Sequence, residues 1–187
     1  HGNQGLIPSM NLATFVERSE GQWRSMRSGH SLAFQQFEEV LSQISIQRLK
    51  LDDERVQELI REQTAALSGE PEAPFLMEWN AESDWEPDDP SEVSAGSCIL
   101  IPVPENDTEG QLLRSVGYAE AEQAISRYRF LSDGTFVLNT RYGQSIAEER
   151  IWFVSEHVRC RSSVLRTSEG SGVLQTSFAS EVRRLSV

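Results

Sequence analysis

The sequence predicts a mainly β, antiparallel protein with two helices. Three observations support this prediction: roughly ten segments have strand-like composition, the connections between them are short, and only two segments have helical apolar spacing. Short connections join antiparallel neighbours, and many strands at regular spacing indicate a closed barrel or a sandwich. A closed barrel leaves no exposed edge and, at this size, can hold one small ligand.

Both predicted helices lie in the first half of the chain. Asn11 caps a short helix that ends at Ser19, with Gly21 closing it. Three strand segments follow, at residues 22–27, 31–37 and 41–51. A second helix is predicted over residues 53–67, where apolar residues recur at helical spacing behind an acidic first turn. Its apolar stripe is expected to pack against a sheet.

The second half is predicted to be strand after strand. A strand that begins at Phe75 is followed by an acidic loop, residues 82–92, which we expect to be a solvated crossover. Seven further strands are predicted at residues 97–103, 111–118, 122–131, 135–142, 147–154, 157–166 and 173–183. Asp133-Gly134 is the best local turn signal, and residues 169–172 supply a flexible turn before the last strand.

Length and composition favour one domain that binds neither nucleic acid nor a membrane. The 187 residues, 38% of them hydrophobic, suffice for a single β-barrel domain, placed at residues 10–187 after a native or added tail of residues 1–9. The formal net charge of −12 opposes electrostatic capture of nucleic acid or of an anionic membrane. Because no apolar run can span a bilayer and no signal-peptide pattern is found, an intracellular protein is expected. The cysteine and histidine spacings and the lack of a glycine-rich phosphate loop predict no metal or nucleotide cofactor.

Residues 148–163 are the most informative segment, since they place two arginines and a hydroxyl on one face of a predicted strand. Alternation turns Arg159, Arg161 and Ser163 one way and Cys160 the other. A guanidinium binds a carboxylate through two parallel hydrogen bonds, and only one of the chain's 17 Lys and Arg residues is a lysine. The pair therefore suits a carboxylate ligand, although an ordinary half-exposed strand would show the same alternation.

Trp23, Arg27 and His30 form a second candidate group. They combine an aromatic plane, a fixed positive charge and a side chain that titrates near neutral pH. Trp23 and Arg27 share a face of an extended strand, whereas His30 joins them only if the chain turns at Ser28-Gly29. The alternative is a core tryptophan, a surface arginine and a turn histidine.

Three further tryptophans and one charged pair complete the candidates. Trp79 and Trp85 bracket a polar stretch, so that one could stack on a planar ligand and the other could seal a barrel mouth; core packing is the alternative for both. Trp152 is interpreted as a structural residue of a hydrophobic strand. Glu149 and Arg150 are either an internal ion pair or exposed charges, and they matter only at a pocket.

Several separated motifs together resemble the S-type phycobiliprotein lyase family, which attaches linear tetrapyrroles (bilins) to phycobiliprotein subunits. The motifs are Phe15-Val16 to Trp23 with Arg27, His30 and Leu32-Ala33-Phe34; Leu112-Leu113-Arg114 with Gly117-Tyr118-Ala119-Glu120; and Glu149-Arg150-Ile151-Trp152-Phe153 leading into Arg159, Arg161 and Ser162-Ser163. They cover most of the chain from Asn11 onward. The resemblance implies a lipocalin-like or fatty-acid-binding-like antiparallel β-barrel with a helix at its opening.

The resemblance also implies a site and a reaction. The implied bilin-binding residues are Trp23, Arg27, Trp79, Trp85, Arg159, Arg161 and Ser163. The candidate catalytic residues are His30 and Glu149, and either an acid such as His30 or a carboxylate such as Glu149 would manage the proton. The thiolate of an acceptor cysteine on the partner would attack the ethylidene carbon of the bilin A ring. The implied bilin is phycocyanobilin, and the implied partners are phycobiliprotein subunits of the phycocyanin or allophycocyanin type. The implied location is the cyanobacterial cytosol, or the plastid stroma of an alga, and a homodimer through the outer face of the barrel is a further expectation.

Two other functions stay open. A non-catalytic carrier would hold a bilin, haem or fatty acid in the same barrel without speeding thioether formation. A structural or assembly factor would have a barrel filled by large apolar side chains, and its paired arginines would bind no ligand. Ligand binding and protein-dependent adduct formation distinguish the three functions.

Overall fold

Ten antiparallel strands and two α-helices make up the parts of the chain that the computed structural model describes, residues 10–32, 34–82, 95–115, 125–169 and 172–185. The helices are α1 (Leu12–Ser19) and α2 (Glu54–Glu62), and a 3-10 turn (Thr64–Ala66) follows α2. The strands are β1 (Gly21–Ser31), β2 (Gln36–Arg48), β3 (Phe75–Ala81), β4 (Ala95–Pro104), β5 (Glu109–Arg114), β6 (Ser126–Phe130), β7 (Phe136–Tyr142), β8 (Ser145–Ser155), β9 (Val158–Thr167) and β10 (Val173–Arg183). Each strand pairs with the next, and β1 pairs with β10, so the sheet closes into a barrel. The predicted barrel of about ten strands is confirmed.

The strand order agrees with the prediction, with differences in the first half of the chain. Residues 31–37 were predicted as a strand of their own, but they contain the connection between β1 and β2, where Gln35 has a φ of 50°. Because this connection is short, β1 pairs with β2 along the whole length of β1, from Gly21 opposite Ile46 to Ser31 opposite Gln36. The second helix ends at Glu62, before the predicted end. The predicted turn at Asp133-Gly134 joins β6 to β7, and Gly134 there has a φ of 88°. The predicted acidic loop lies outside the described residues from position 83 onward.

The helix α1 closes one end of the barrel. It begins at the N-cap Asn11, whose Oδ1 accepts a hydrogen bond from the Thr14 backbone N–H at 2.9 Å. Phe15 stacks on the inward-facing Phe136, with ring centroids 4.4 Å apart. The same core contains Leu12 and Val16 from the helix and Leu100, Leu112, Tyr128, Phe130, Leu138 and Ile151 from the strands. We call this aromatic and aliphatic cluster the floor of the barrel.

The helix α2 packs against the outside of the barrel. Its buried residues Val56 and Leu59 share a second core with strand residues of β4 and β5, namely Ile99, Ile101, Val103 and Leu113. The inward neighbours of these strand residues belong to the floor, so both faces of this part of the sheet are buried. The predicted apolar stripe of the second helix therefore has the sheet partner that it requires.

Glu105, just after β4, connects β6 with the segment that follows α2, through contacts with Arg127 and Ser68. Its Oε2 lies 2.6 Å from Arg127 Nη2, and its Oε1 accepts a hydrogen bond from Ser68 Oγ at 2.8 Å. The hydrogen bonds from Arg127 and then Ser68 lower the pKa of Glu105 from 4.5 to about 2. Since the folded-state pKa is below the unfolded one, the resulting stability is present above about pH 4.5 and is lost as the pH falls toward 2.

Replacing Glu105 by glutamine should therefore lower the melting temperature at pH 7, and the difference from the unsubstituted chain should shrink as the pH falls below 4.5. Thermal unfolding followed by circular dichroism between pH 2.5 and 7 measures this. The matched control is Glu58→Gln, an exposed glutamate on α2. A difference that stays constant with pH would contradict the assignment.

Candidate functional site

At the end of the barrel opposite α1, the described residues surround a cavity of about 290 Å³, which we call the open cavity. Its wall is formed by inward-facing residues of β1, β2, β3, β8, β9 and β10. Small residues at several of these positions leave the space, namely Ser25, Ser42, Ala81, Ser177 and Ala179. Charged, hydroxyl and aromatic groups also face it, namely Arg27, Trp79, Glu149, Arg161, Ser163 and Glu181. The interior at this end is not filled by large apolar side chains, as a purely structural barrel would require.

Strand alternation along β9 positions two of the predicted residues. Arg161 pairs with Ala179 of β10, and Ser163 pairs with Ser177 of β10 and Glu149 of β8, so all of them face the cavity. Cys160 belongs to the opposite set of β9 side chains and faces outward, as the alternation predicted. The β8–β9–β10 register thus places Arg161, Ser163 and Glu149 on one wall.

A chain of alternating charges runs from the floor to the cavity. Arg159 Nε donates a hydrogen bond to Glu181 Oε1 at 2.6 Å, and both side chains are almost completely buried. Arg161 Nε lies 3.9 Å from the same Glu181 oxygen. Glu149 Oε1 lies 3.6 Å from Arg161 Nη1. The order from the floor upward is therefore Arg159, Glu181, Arg161 and Glu149.

Glu181 is held as a carboxylate by its two neighbours. Burial by itself would raise the pKa of Glu181, but the charges of Arg161 and Arg159 and the Arg159 hydrogen bond outweigh it and keep this pKa below its ordinary value. Burial also lowers the pKa of Arg159, and Glu181 opposes that shift. An arginine keeps its proton at neutral pH, so the pair is ionic.

Arg161 has binding capacity that its neighbours do not use. Its Nε is buried without a hydrogen-bond partner among the described residues, and its two carboxylate contacts are longer than charge-assisted hydrogen bonds normally are. A guanidinium in this state can donate hydrogen bonds to the carboxylate of a ligand in the cavity. We regard Arg161 as the centre of the candidate site.

Arg159 lies deeper than the prediction required. It does not border the open cavity; it borders a smaller cavity of about 50 Å³ among the apolar side chains of the floor. It is 1% exposed, and its bonded partner is Glu181. Arg159 therefore does not contact a ligand in the open cavity, which corrects the predicted site. Its position is that of a support for Glu181.

Trp23 is also a core residue. It is fully buried, its Nε1 donates a hydrogen bond to the Ser19 carbonyl at 2.8 Å, and it does not border the open cavity. The guanidinium carbons of Arg159 and Arg183 lie 5.0 and 4.3 Å from its ring centroid. Because Trp23 sits beside the end of α1, the structure corrects its predicted place in the ligand wall.

His30 and Arg27 face opposite sides of the barrel wall. The strand β1 continues through Ser28 and Gly29, where Gly29 pairs with Glu38 and Ser177, so the chain makes no turn there. Arg27 therefore faces the cavity, while His30 is exposed on the outer face against the Phe37 ring, with centroids 4.9 Å apart. His30 and Arg27 therefore do not share a face, which corrects the predicted wall of Trp23, Arg27 and His30.

The remaining tryptophans are Trp79, Trp85 and Trp152. Trp79 is half-buried, pairs with Ile44 of β2 and borders the cavity. Trp85 lies outside the described residues. Trp152 lies on the outer face of β8, with its ring centroid 6.2 Å from that of Phe178, and it does not border the open cavity.

Glu181 is a residue of the site that was not among the predicted ones. The strand β10 has an inverted pattern, in which Ser177, Ala179 and Glu181 face inward while Phe178 and Val182 are exposed. This polar-inside alternation is a signal of a ligand-binding barrel, since an ordinary core strand would show the reverse. Reading the last predicted strand for this inversion could have identified Glu181.

The arrangement suits a flat, partly apolar molecule that carries a carboxylate. Arg161 and Arg27 supply positive charge, Trp79 supplies an aromatic face and Glu149 supplies a carboxyl group that can carry a proton. Within the described residues, no group of three His, Cys, Asp or Glu side chains is placed to hold a metal ion. A search of the same residues finds no helix long and apolar enough to cross a membrane.

Known proteins are similar to this chain in both sequence and fold. A family model described as CpeS-like protein matches residues 11–184. A Trichodesmium erythraeum (strain IMS101) protein named chromophore lyase CpcS/CpeS 3 is 48% identical over 176 residues, which cover 93% of this chain and 99% of the relative. The putative phycoerythrobilin lyase CpeS of Microchaete diplosiphon is 42% identical over 165 residues, covering 85% of this chain and 71% of the relative. The solved S-type phycobiliprotein lyase CPES from Guillardia theta is 38% identical, with a TM-score of 0.79 and 95% of each chain covered.

Proposed function

This chain belongs to the CpeS-like family of chromophore lyases, and on that premise we propose that it binds phycocyanobilin in its barrel and catalyses thioether attachment of this bilin to a cysteine of a phycobiliprotein subunit. Family membership confirms the resemblance drawn from the sequence motifs, and the chain is a lyase. The observation that supports the finer proposal is the under-used guanidinium of Arg161 at the open cavity.

Arg161 is the proposed anchor for a bilin propionate. Its contacts with Glu149 and Glu181, at 3.6 and 3.9 Å, leave donors that a propionate can occupy. Glu181 keeps its closer partner Arg159 when this happens, so no buried carboxylate is left without a cation. Arg27 and Ser163 border the same space, and Trp79 offers a face on which a pyrrole ring can stack.

The proposed reaction adds a thiol across the ethylidene double bond of the A ring. The sulfur–carbon bond forms as the carbon–carbon π bond breaks, and the neighbouring ring carbon gains the proton that the thiol gives up. This step is balanced and needs no oxidant or reductant. Glu149 is the proposed carrier of the proton, because its carboxyl group borders the cavity, and the barrel contributes by holding one bilin conformation near the opening.

The acceptor cysteine is proposed to belong to the partner. Cys98 is buried, and burial raises the pKa of its thiol, while Cys160 faces outward from β9. We propose a phycocyanin or allophycocyanin type subunit as the partner, no metal or nucleotide cofactor, and the cyanobacterial cytosol, or the plastid stroma of an alga, as the location. A homodimer through the outer face is part of the proposal, and light scattering tests it.

The proposed function is tested by adduct formation. The protein is mixed with phycocyanobilin and an apo-phycobiliprotein subunit, and covalent fluorescent adduct is followed after acid-urea denaturation. Phycoerythrobilin is offered in parallel, since one relative is named a putative phycoerythrobilin lyase. Fast attachment that needs this protein supports the proposal. Bilin binding without protein-dependent attachment favours a carrier, and no binding favours a structural role.

Arg161→Gln should weaken phycocyanobilin binding about 10-fold to 100-fold, because a charge-assisted hydrogen bond to the propionate is lost. Absorbance titration of the bilin measures the Kd. The matched control is Arg166→Gln, an exposed arginine later on the same strand, which should bind like the unsubstituted chain. Equal affinities of both variants would remove Arg161 from the site.

A further inference from the structure

A fourth guanidinium, besides those of Arg27, Arg159 and Arg161, lies inside the barrel and has no role in the site described above. Arg114 occupies an inward position at the end of β5, four strands away from β9 in the closed sheet. Its Nη1 donates a hydrogen bond to the Tyr142 hydroxyl at 3.2 Å. Its Nε is buried without a hydrogen-bond partner in the described parts of the chain, where Arg114 also forms no ion pair.

Arg114 and Arg161 border the same apolar space. Both line the cavity of about 50 Å³ among the apolar side chains of the floor, which Arg159 and Glu149 line as well. The two arginines differ in their surroundings: Arg161 has two nearby carboxylates, whereas Arg114 has a neutral phenol. A partly buried cation without an anion is unfavourable, and a ligand carboxylate would offset that penalty.

We propose that Arg114, oriented by Tyr142, binds a second carboxylate of the ligand, so that the bilin is held by one propionate at Arg161 and by the other at Arg114. This inference rests on the proposed function. A linear tetrapyrrole carries its two propionates on its two central rings, and a ligand lying over the small cavity presents one to each wall. The site then selects dicarboxylates over monocarboxylates such as fatty acids.

The test compares phycocyanobilin with its dimethyl ester, which lacks both negative charges. Absorbance titrations give the Kd of each form for the unsubstituted chain, Arg114→Gln, Arg114→Lys and the control Arg141→Gln. Arg141 precedes Tyr142 on β7 and is exposed. We expect Arg114→Gln to weaken diacid binding at least about 10-fold and to leave ester binding unchanged, while Arg141→Gln changes neither.

Arg114→Lys guards against misfolding, because it keeps the charge and the length but loses the planar fork. It should lose about threefold in diacid affinity and nothing for the ester. Equal weakening of diacid and ester would indicate a packing role and overturn the inference, as would diacid binding that neither Arg114 variant changes. If the unsubstituted chain bound neither form, the proposed function would fail and this inference with it.

Discussion

Replacing Glu181 by glutamine is expected to destabilise the protein by about 3–5 kcal/mol at pH 7. Arg159, which is 1% exposed, would be left as a buried cation without its counter-charge, and Arg161 would lose one of its two carboxylates. Because the pKa of Glu181 is held below its ordinary value of 4.5, this stabilisation is present above about pH 4.5 and is lost as the pH falls further. Urea unfolding of the free protein measures the change.

Two control variants show whether the effect of Glu181→Gln is specific to the buried ion pair. Glu156→Gln removes a carboxylate whose side chain is 83% exposed, and it should change stability by less than about 0.5 kcal/mol. The double variant Arg159→Met with Glu181→Leu removes both charges, and it should recover most of the stability, since apolar side chains of similar size often replace a buried ion pair without loss. A Glu181→Gln protein as stable as the unsubstituted chain would contradict a buried ion pair.

Glu149→Gln is expected to slow attachment of phycocyanobilin about 100-fold at saturating bilin, because the amide cannot take up and return the thiol proton. Bilin affinity should be kept or increased, since the substitution removes a carboxylate that lies 3.6 Å from Arg161 and competes with the propionate. Adduct formation followed over time gives the rate, and titration without the acceptor gives the Kd.

Glu148→Gln is the matched control for Glu149, since it alters the adjacent carboxylate, which faces the outer side of β8. His30→Ala should change the attachment rate less than about twofold, because His30 lies on the outside of the barrel. If Glu149→Gln and His30→Ala both react at the unsubstituted rate, positioning of the bilin must account for catalysis by itself.

Strand alternation made part of the site predictable. The inward position of Arg161 and Ser163 follows from a period of two, which depends only on the local backbone of β9. The helical stripe at Val56 and Leu59 likewise indicated a sheet partner, and α2 has one. Such local periodicities are sufficient to predict most of the strands and the inward-facing residues of one wall of the cavity.

Other features depended on contacts between distant segments. The resemblance placed His30 in the ligand wall, which required a turn at Ser28-Gly29, whereas pairing on both sides continues β1 through Gly29. Alternation could not assign Trp152 to either face, because its neighbours Ile151 and Phe153 are also apolar. Glu181 became visible only through the β9–β10 register, which pairs it with Arg159.

The floor formed around Phe15 and Phe136 has a kinetic consequence for the proposed reaction. With α1 packed across one end of the barrel, loading of the bilin and its transfer to the acceptor share the opposite rim. A subunit already seated on that rim would obstruct loading. The enzyme should therefore bind its substrates in a compulsory order, the bilin first and the acceptor subunit second. A large excess of apo-subunit should inhibit attachment by occupying the bilin-free enzyme, and added bilin should relieve this inhibition.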